Sequence, residues 1–136
     1  MGRIKHTANG WIASVLQERL LRITALYQLE MLSLLDDSGQ LWLHGYSQAA
    51  AEQVAKNFDE LQLLPVPGGF LRALHRRRVI LARPLDLRCG RFLLVARGRR
   101  ARRALKESAP WVARLLAELV EPRAHNAPAQ YFTFSL

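Results

Sequence analysis

Apolar positions follow a helical period near both ends of the chain and once in between. Residues 10–29 place apolar side chains at every third or fourth position, which predicts an amphipathic helix. A second helix is predicted over residues 48–62, where Ser47 can cap the first turn. A third is predicted over residues 99–119, and Pro110 leaves open whether this helix bends or a new helix begins just before it.

Short apolar segments bounded by Gly, Pro and Asp lie between these helices and predict β-strands. Residues 30–35 and 40–45 flank the turn Asp36-Asp37-Ser38-Gly39, which predicts a hairpin because Asp caps such turns and Gly adopts a positive φ at little cost. Residues 65–69, with two prolines and two glycines, are interpreted as a plain connector. The remaining predicted strands are residues 70–75, 79–85 and 91–97.

The order of these elements predicts an α/β fold of the α+β kind. We expect an antiparallel sheet of about five strands, flanked by N- and C-terminal helices. Residues 1–122 are predicted to form one domain and residues 123–136 a C-terminal tail. The tail contains Tyr131, Phe132 and Phe134, whose exposure to water would be costly. These aromatic residues are therefore predicted to dock on this chain or on a partner and to support self-association.

Trp42 lies in the second predicted strand, between Leu41 and Leu43. Because side chains alternate along a strand, Trp42 would share an outer face with His44 if its two neighbours face the core. An exposed Trp is typical of an interface, so Trp42 is a second candidate for self-association. The alternative is that the helices of this chain cover both faces of the sheet.

The formal net charge of +9 is concentrated in one region. Residues 72–103 contain twelve arginines and one acidic residue, whereas the rest of the chain is close to neutral. Arginine binds carboxylates and phosphates through paired hydrogen bonds, so the region predicts an acidic protein partner or, alternatively, nucleic acid. The candidate binding residues are Arg76, Arg77, Arg78, Arg97, Arg99, Arg100, Arg102 and Arg103. If the strands from 70 to 97 are neighbours, the same surface would extend to Arg72, Arg83, Arg88 and Arg91.

Side chains suited to catalysis or metal binding form no recognisable motif. The four histidines lack metal-ligand spacing, and no serine lies in a Gly-x-Ser-x-Gly elbow. Asp36 and Asp37 are interpreted as turn residues, and Cys89 as an incidental thiol. We therefore expect no catalytic residue, no metal and no cofactor. The chain also lacks an apolar run of the roughly 18 residues that span a membrane, and we expect a cytoplasmic protein.

The segment Leu34-Leu35-Asp36-Asp37-Ser38-Gly39-Gln40-Leu41, a strand that ends in an acidic turn with Gly, resembles the first hairpin of the roadblock/LC7 family. The flanking helices and the later three-strand run also correspond, so the resemblance covers about residues 10–120. It implies a profilin-like architecture and a non-enzymatic dimer that pairs through helices and strands. It also implies binding to small GTPases or motor components.

The later strands are similar to those of the GAF family. The strand that ends in Pro84-Leu85, the turn with Gly90 and the apolar strand over residues 91–95 precede a last helix, as in that family. The preceding region is shorter than the one that forms the ligand pocket of a typical GAF domain. This resemblance implies a sensory or dimerising module with a reduced pocket.

Together these patterns predict a non-catalytic regulatory or scaffolding module that acts through protein–protein interaction. We expect a homodimer that binds an acidic protein, such as a small GTPase, and no enzymatic activity. The alternatives are a nucleic-acid-binding protein that uses residues 72–103 and a small-ligand sensor of GAF type. What the arginine-rich surface binds discriminates among these hypotheses.

Overall fold

Residues 10–120, the part of the chain that the computed structural model describes, form three α-helices, six β-strands and one 3₁₀ turn. The order of helices and strands agrees with the sequence pattern, except for one extra strand. In chain order the elements are α1 (Gly10–Leu26), β1 (Met31–Asp36), β2 (Leu41–His44), α2 (Gln48–Lys56), the 3₁₀ turn (Phe58–Glu60), β3 (Leu64–Val66), β4 (Phe70–His75), β5 (Arg78–Leu87), β6 (Gly90–Arg97) and α3 (Ala101–Val120).

The six strands form one antiparallel sheet in the order β2-β1-β6-β5-β4-β3. The N-terminal helix α1 and the C-terminal helix α3 flank this sheet, so the predicted α+β class is confirmed. The sequence pattern predicted about five strands, and the structure has six. The strands predicted between residues 70 and 97 are neighbours, as β4, β5 and β6.

Apolar side chains fill both faces of the sheet. On one face, strand residues such as Leu34 and Leu94 pack against Leu16 of α1 and Leu116 of α3. On the opposite face, Val54 of α2 packs against strand residues that include Met31, Leu35, Ile80, Leu93 and Val95. The central strands are therefore nearly continuous apolar runs, as is usual for a sheet with helices on both faces.

The first hairpin forms as its turn residues predict. The carboxylate of Asp36 accepts hydrogen bonds from the backbone N–H groups of Ser38 and Gln40, both at 3.0 Å. Burial raises the pKa of Asp36, but its hydrogen bonds outweigh this effect and hold the pKa below its usual value. Gly39 has a φ of 91°, and a Cβ there would lie 2.6 Å from the Phe58 ring, so the turn requires glycine.

A β-bulge interrupts the alternation of side chains in β2. Leu34 pairs with Leu43 whereas Leu35 pairs with Leu41, which leaves Trp42 as the extra residue. Leu41 consequently packs on the α2 face, while Leu43 and Trp42 both pack against the opposite core. The sequence pattern places Trp42 on an outer face only if Leu41 and Leu43 face the same core. In the structure these two leucines face opposite cores, so that condition is not met.

Two predicted segments have different boundaries in the structure. The helix predicted over residues 48–62 ends at Lys56, and a 3₁₀ turn follows it. The connector predicted over residues 65–69 is partly a strand, because β3 pairs with the first half of β4. Pro65 is tolerated in β3 because this strand lies at the edge of the sheet, where one side of the backbone needs no partner.

The two long helices are continuous. α3 runs from Ala101 to Val120 with Pro110 inside it, so no second helix begins at that proline. α1 ends at Leu26 rather than at the predicted residue 29, and Gln28 follows with a left-handed φ of 52°. No helix within residues 10–120 has the length and apolar character needed to cross a membrane.

Candidate interaction surface

The pairing register brings two arginine-rich segments to one end of the sheet. Leu81 of β5 pairs with Ala96 of β6, so the tip of the β4–β5 hairpin lies beside the connection from β6 to α3. Glu30 Oε1 joins the two segments, because it accepts hydrogen bonds from Arg78 Nη1 at 2.6 Å and from Arg97 Nε at 3.1 Å. We define the arginine end as the surface formed by Arg76, Arg77, Arg78, Arg97, Arg99 and Arg100.

The tip of the β4–β5 hairpin is a two-residue loop made of arginines. His75 pairs with Arg78, and the residues between them, Arg76 and Arg77, have left-handed φ values of 54° and 65°. Positive φ at both loop residues is the signature of a type I′ turn, in which Asn-Gly is favoured. A residue other than Gly, Asn or Asp in this backbone conformation raises the free energy of the folded state by about 1 kcal/mol. The turn therefore presents two cations at positions where backbone energy favours other residues.

The described chain neutralises only part of the charge at the arginine end. Two of the six arginines share the Glu30 carboxylate, and Arg76 Nη2 donates to Gln53 Oε1 of α2 at 3.0 Å. The side chains of the remaining three are exposed and make no hydrogen bond or ion pair with any residue between 10 and 120. These residues are Arg77, Arg99 and Arg100.

Two arginines are engaged by the loop between β3 and β4. Arg102 Nη1 donates to the Pro67 carbonyl at 3.0 Å, and its guanidinium carbon lies 4.6 Å from the centre of the Phe70 ring. Arg83 stacks on the same ring at 5.2 Å and donates to the next two carbonyls of the loop, at 2.6 and 3.1 Å. Arg102 thus has a structural role beside its predicted binding role. Arg103 makes an exposed ion pair within α3.

The arginine end does not include all four of the further arginines that adjacent strands were expected to add to it. Arg72 lies on β4 close to the arginine end. Arg88 and Arg91 lie at the opposite end of the sheet, where β5 turns into β6, and Arg91 Nε donates to Asp86 at 3.0 Å. Of the four arginines that could have joined the surface, Arg72 alone adds charge to this end within the described residues.

His75 is a buried polar residue at the arginine end that the sequence pattern did not single out. Its side chain is 6% exposed, and Nε2 lies 3.2 Å from the side-chain amide of Asn57, just after α2. Within residues 10–120, Nδ1 has no hydrogen-bond partner. Burial lowers the pKa of His75, and Arg76 and Arg97 lower it further, against the opposing charge of Glu60. The ring is therefore neutral at neutral pH; its period-two spacing in β4 is the signal that could have placed it inside.

The residues predicted to support self-association fall in two places. Trp42 is half-buried, and its ring meets the Phe92 ring edge-on with 5.1 Å between centroids. Its Nε1 donates to Asp36 Oδ2 at 3.2 Å, so Trp42 contributes to the fold. A further role in self-association stays a prediction. The other candidates lie outside the described residues; they are Tyr131, Phe132 and Phe134.

The described residues contain no candidate metal site, and the chain has no match among known families. Within residues 10–120, no three His, Cys, Asp or Glu side chains are grouped so that they could hold a metal ion. Compared with known proteins, the chain matches no family model and no curated protein. The resemblance to the roadblock/LC7 and GAF families therefore stays a prediction.

Proposed function

We propose that this chain is a non-catalytic regulatory or scaffolding module that binds an acidic protein through the arginine end. The observation that carries the proposal is the hairpin tip, where Arg76 and Arg77 occupy two left-handed positions. Strained residues persist when the surrounding structure enforces them, and they cluster at functional sites. Here the strained residues carry guanidinium groups, whose geometry matches a carboxylate.

The surroundings of the arginine end favour a protein over nucleic acid. Leu74 and Val79, which are 60% and 43% exposed, lie beside it on the same hairpin. Single-stranded nucleic acid is usually bound by aromatic rings that stack on bases. Among the described residues, the exposed aromatic side chains are Trp11 and Tyr46, on α1 and after β2, and neither lies on the elements from β4 to α3. Aliphatic side chains beside arginines suit a protein surface better.

The proposal includes a profilin-like architecture of roadblock/LC7 or GAF type and a homodimeric state. The order of elements and the antiparallel sheet, with the first and last helices on one of its faces, support this part. A small GTPase is the kind of acidic partner that the roadblock resemblance implies.

The test compares two triple variants of the full chain that lose the same charge. One variant removes the three arginines of the arginine end whose side chains have no partner within residues 10–120: Arg77→Gly, Arg99→Gln and Arg100→Gln. The control removes three exposed arginines elsewhere: Arg22→Gln, Arg91→Gln and Arg114→Gln. Fluorescence anisotropy measures the affinity of each for a labelled Glu-rich peptide, single-stranded RNA and duplex DNA, at low and near-physiological salt.

We expect the first variant to bind the acidic peptide about tenfold more weakly than wild type, and the control to differ by about twofold or less. An equal loss of affinity in both variants would mean that net charge alone drives binding. The arginine end would then not be a specific binding site. Tighter binding to RNA or DNA that survives near-physiological salt, with a steep dependence of affinity on salt, would establish the nucleic-acid alternative instead.

A further inference from the structure

An exposed apolar patch adjoins the arginine end on the face of the sheet where α1 and α3 lie. We define this apolar patch by Leu64, Arg72, Leu74 and Val79. Leu64 and Leu74 are each 60% exposed, and Val79 is 43% exposed. Leu64 pairs with Arg72, and Leu74 pairs with Val79, so the four side chains lie on one face in two adjacent rows. The Arg72 side chain has no hydrogen bond or ion pair with residues 10–120.

The helical layer on this face ends before the sheet does. Among the strands, α1 contacts mainly β1 and β2, and α3 contacts mainly β5 and β6. The two outer strands, β4 and β3, together are about 10 Å wide, which is about the diameter of one α-helix. Arg102 covers the Phe70 end of this strip, so the open part suits a helix of about two turns. A cleft of about 420 Å³ at this edge is lined by Glu60, Gln62, Leu64, Arg72, Ala73 and Leu74.

We propose that the apolar patch binds an acidic amphipathic α-helix from a partner protein, laid beside α3. This inference rests on the proposed function of the arginine end and names the form of its partner. The apolar stripe of the helix would cover Leu64, Leu74 and Val79. Its carboxylates would meet Arg72 and the exposed arginines at the rim, Arg77, Arg99 and Arg100. A helix suits the site better than an added strand, because Pro65 leaves the outer edge of β3 with one N–H fewer.

Charge selects this occupant over a second copy of the chain and over the C-terminal segment. A second copy would bring another +9 chain against an arginine-rich surface, which like-charge repulsion disfavours. Residues 121–136 contain one acidic and one basic side chain, Glu121 and Arg123, and so offer no acidic stripe. A separate acidic segment is the occupant that matches both the apolar floor and the cationic rim.

Three labelled peptides of about 18 residues, long enough for five helical turns, distinguish the parts of this proposal. The first carries leucines at every third or fourth position and glutamates elsewhere. The second has the same composition without a stripe, and the third keeps the stripe but replaces Glu with Lys. Vesicles that mix phosphatidylserine with phosphatidylcholine provide a fourth probe, because a basic apolar surface also suits an anionic membrane.

The full-chain variants Leu74→Ser and Arg72→Gln remove an apolar and a charged member of the apolar patch. Leu26→Ser is the matched control for Leu74→Ser, because Leu26 is 65% exposed but lies on α1. Arg114→Gln is the control for Arg72→Gln. Val79→Thr keeps a β-branched residue in the strand and tests the apolar contact without a change of strand propensity. Circular dichroism verifies that each variant is folded.

We expect the first peptide to bind most tightly, and Leu74→Ser and Arg72→Gln to weaken it by about tenfold and about fivefold, with controls unchanged. Equal affinity for the first two peptides, or no effect of Leu74→Ser, would overturn the helix while binding through the arginine end still stands. Vesicle binding that depends on the apolar patch, without binding of the first peptide, would overturn the proposed helix and identify an anionic membrane as the occupant. If no acidic peptide binds at all, both proposals fail.

Discussion

Arginine side chains in this protein are held in two different environments. Arg83 and Arg102 stack on the ring of Phe70 and donate to carbonyls of the β3–β4 loop, so their guanidinium groups contribute to folding. Arg77 has no such contact within residues 10–120 and sits in a left-handed conformation with a φ of 65°. Loss of the guanidinium should therefore lower stability at the first two positions, whereas glycine at position 77 should raise it.

At the scale of this single residue, Arg77→Gly should stabilise the fold. Glycine relieves the cost of the left-handed backbone, and after its own entropic cost the net gain is about 0.5–1 kcal/mol in the free energy of unfolding. Thermal unfolding followed by circular dichroism should show a Tm higher by about 2–6 °C. Arg91→Gly, in β6 where φ is not positive, is the control and should lower Tm. An unchanged or lower Tm for Arg77→Gly would show that the tip is not strained and remove the main support of the proposed function.

At the scale of elements, His75 links the end of α2 to β4 and makes their packing sensitive to pH. Its pKa in the folded state lies below the ordinary value of 6.5 because burial, Arg76 and Arg97 disfavour the charged ring. The unfolded chain therefore takes up a proton first as pH falls, so stability is full above about pH 6.5 and declines below it. Urea unfolding at about pH 7.5 and about pH 5.5 measures this loss.

His75→Gln should remove that contribution. The amide keeps a hydrogen-bonding group near Asn57 and cannot become charged. We expect the variant to be less stable than wild type at the higher pH but to lose less stability between the two pH values. Parallel losses in both proteins would mean that other groups, rather than His75, set the pH dependence.

Elements with local signals could be predicted from sequence. The hairpin of β1 and β2 carries its own turn, in which Asp36 caps two backbone N–H groups and Gly39 takes a positive φ. β4 and β6 are segments of ordinary strand length, rich in apolar residues and with a glycine at or just before the first residue, and their predicted positions are correct to within one residue. In each case the signal lies in the residue types of the segment and its neighbours, so the sequence pattern contains it.

Features that depend on pairing and packing rather than on the residue types of a segment could not be predicted. β3 has three residues with one proline, and it is a strand because β4 offers a partner. The bulge at Trp42 depends on which residues of β1 face which core, and that choice is made by packing across the sheet. The arginine end was predictable as a cluster in sequence. The sequence does not show which of these arginines is engaged by the fold. Arg102 donates to Pro67, in a loop more than thirty residues away along the chain, and Arg77 makes no such contact within residues 10–120.

At the scale of the whole molecule, charge is distributed unevenly over the sheet. Six arginines lie at one end, where Glu30 contacts two of them, while the opposite end contains the Asp86–Arg91 ion pair. Association with an acidic partner should therefore weaken as salt rises, because the attraction is screened. Association of two copies of a +9 chain should respond to salt in the opposite sense, since salt screens their repulsion.

This contrast gives a test of the predicted homodimer. Sedimentation equilibrium of the full chain should show a dimer that becomes tighter as salt increases. Burial of an aromatic side chain contributes about 1.5–3 kcal/mol, so replacing the three tail aromatics with serine should shift the equilibrium to monomer. That variant is Tyr131→Ser, Phe132→Ser and Phe134→Ser, and the control in the same segment is Thr133→Ser with Ser135→Ala.

The result separates the two parts of the self-association hypothesis. A wild-type chain that sediments as a monomer at every salt concentration would contradict the homodimer itself. A dimer that the three serines do not disturb would exclude the tail aromatics and leave Trp42 as the candidate. Trp42→Phe then tests Trp42, because it keeps an aromatic ring against Phe92 but loses the hydrogen bond to Asp36. A dimer that weakens with salt would point instead to contacts between the basic region of one copy and acidic residues of the other. The arginine end would then bind a second copy rather than a separate acidic protein.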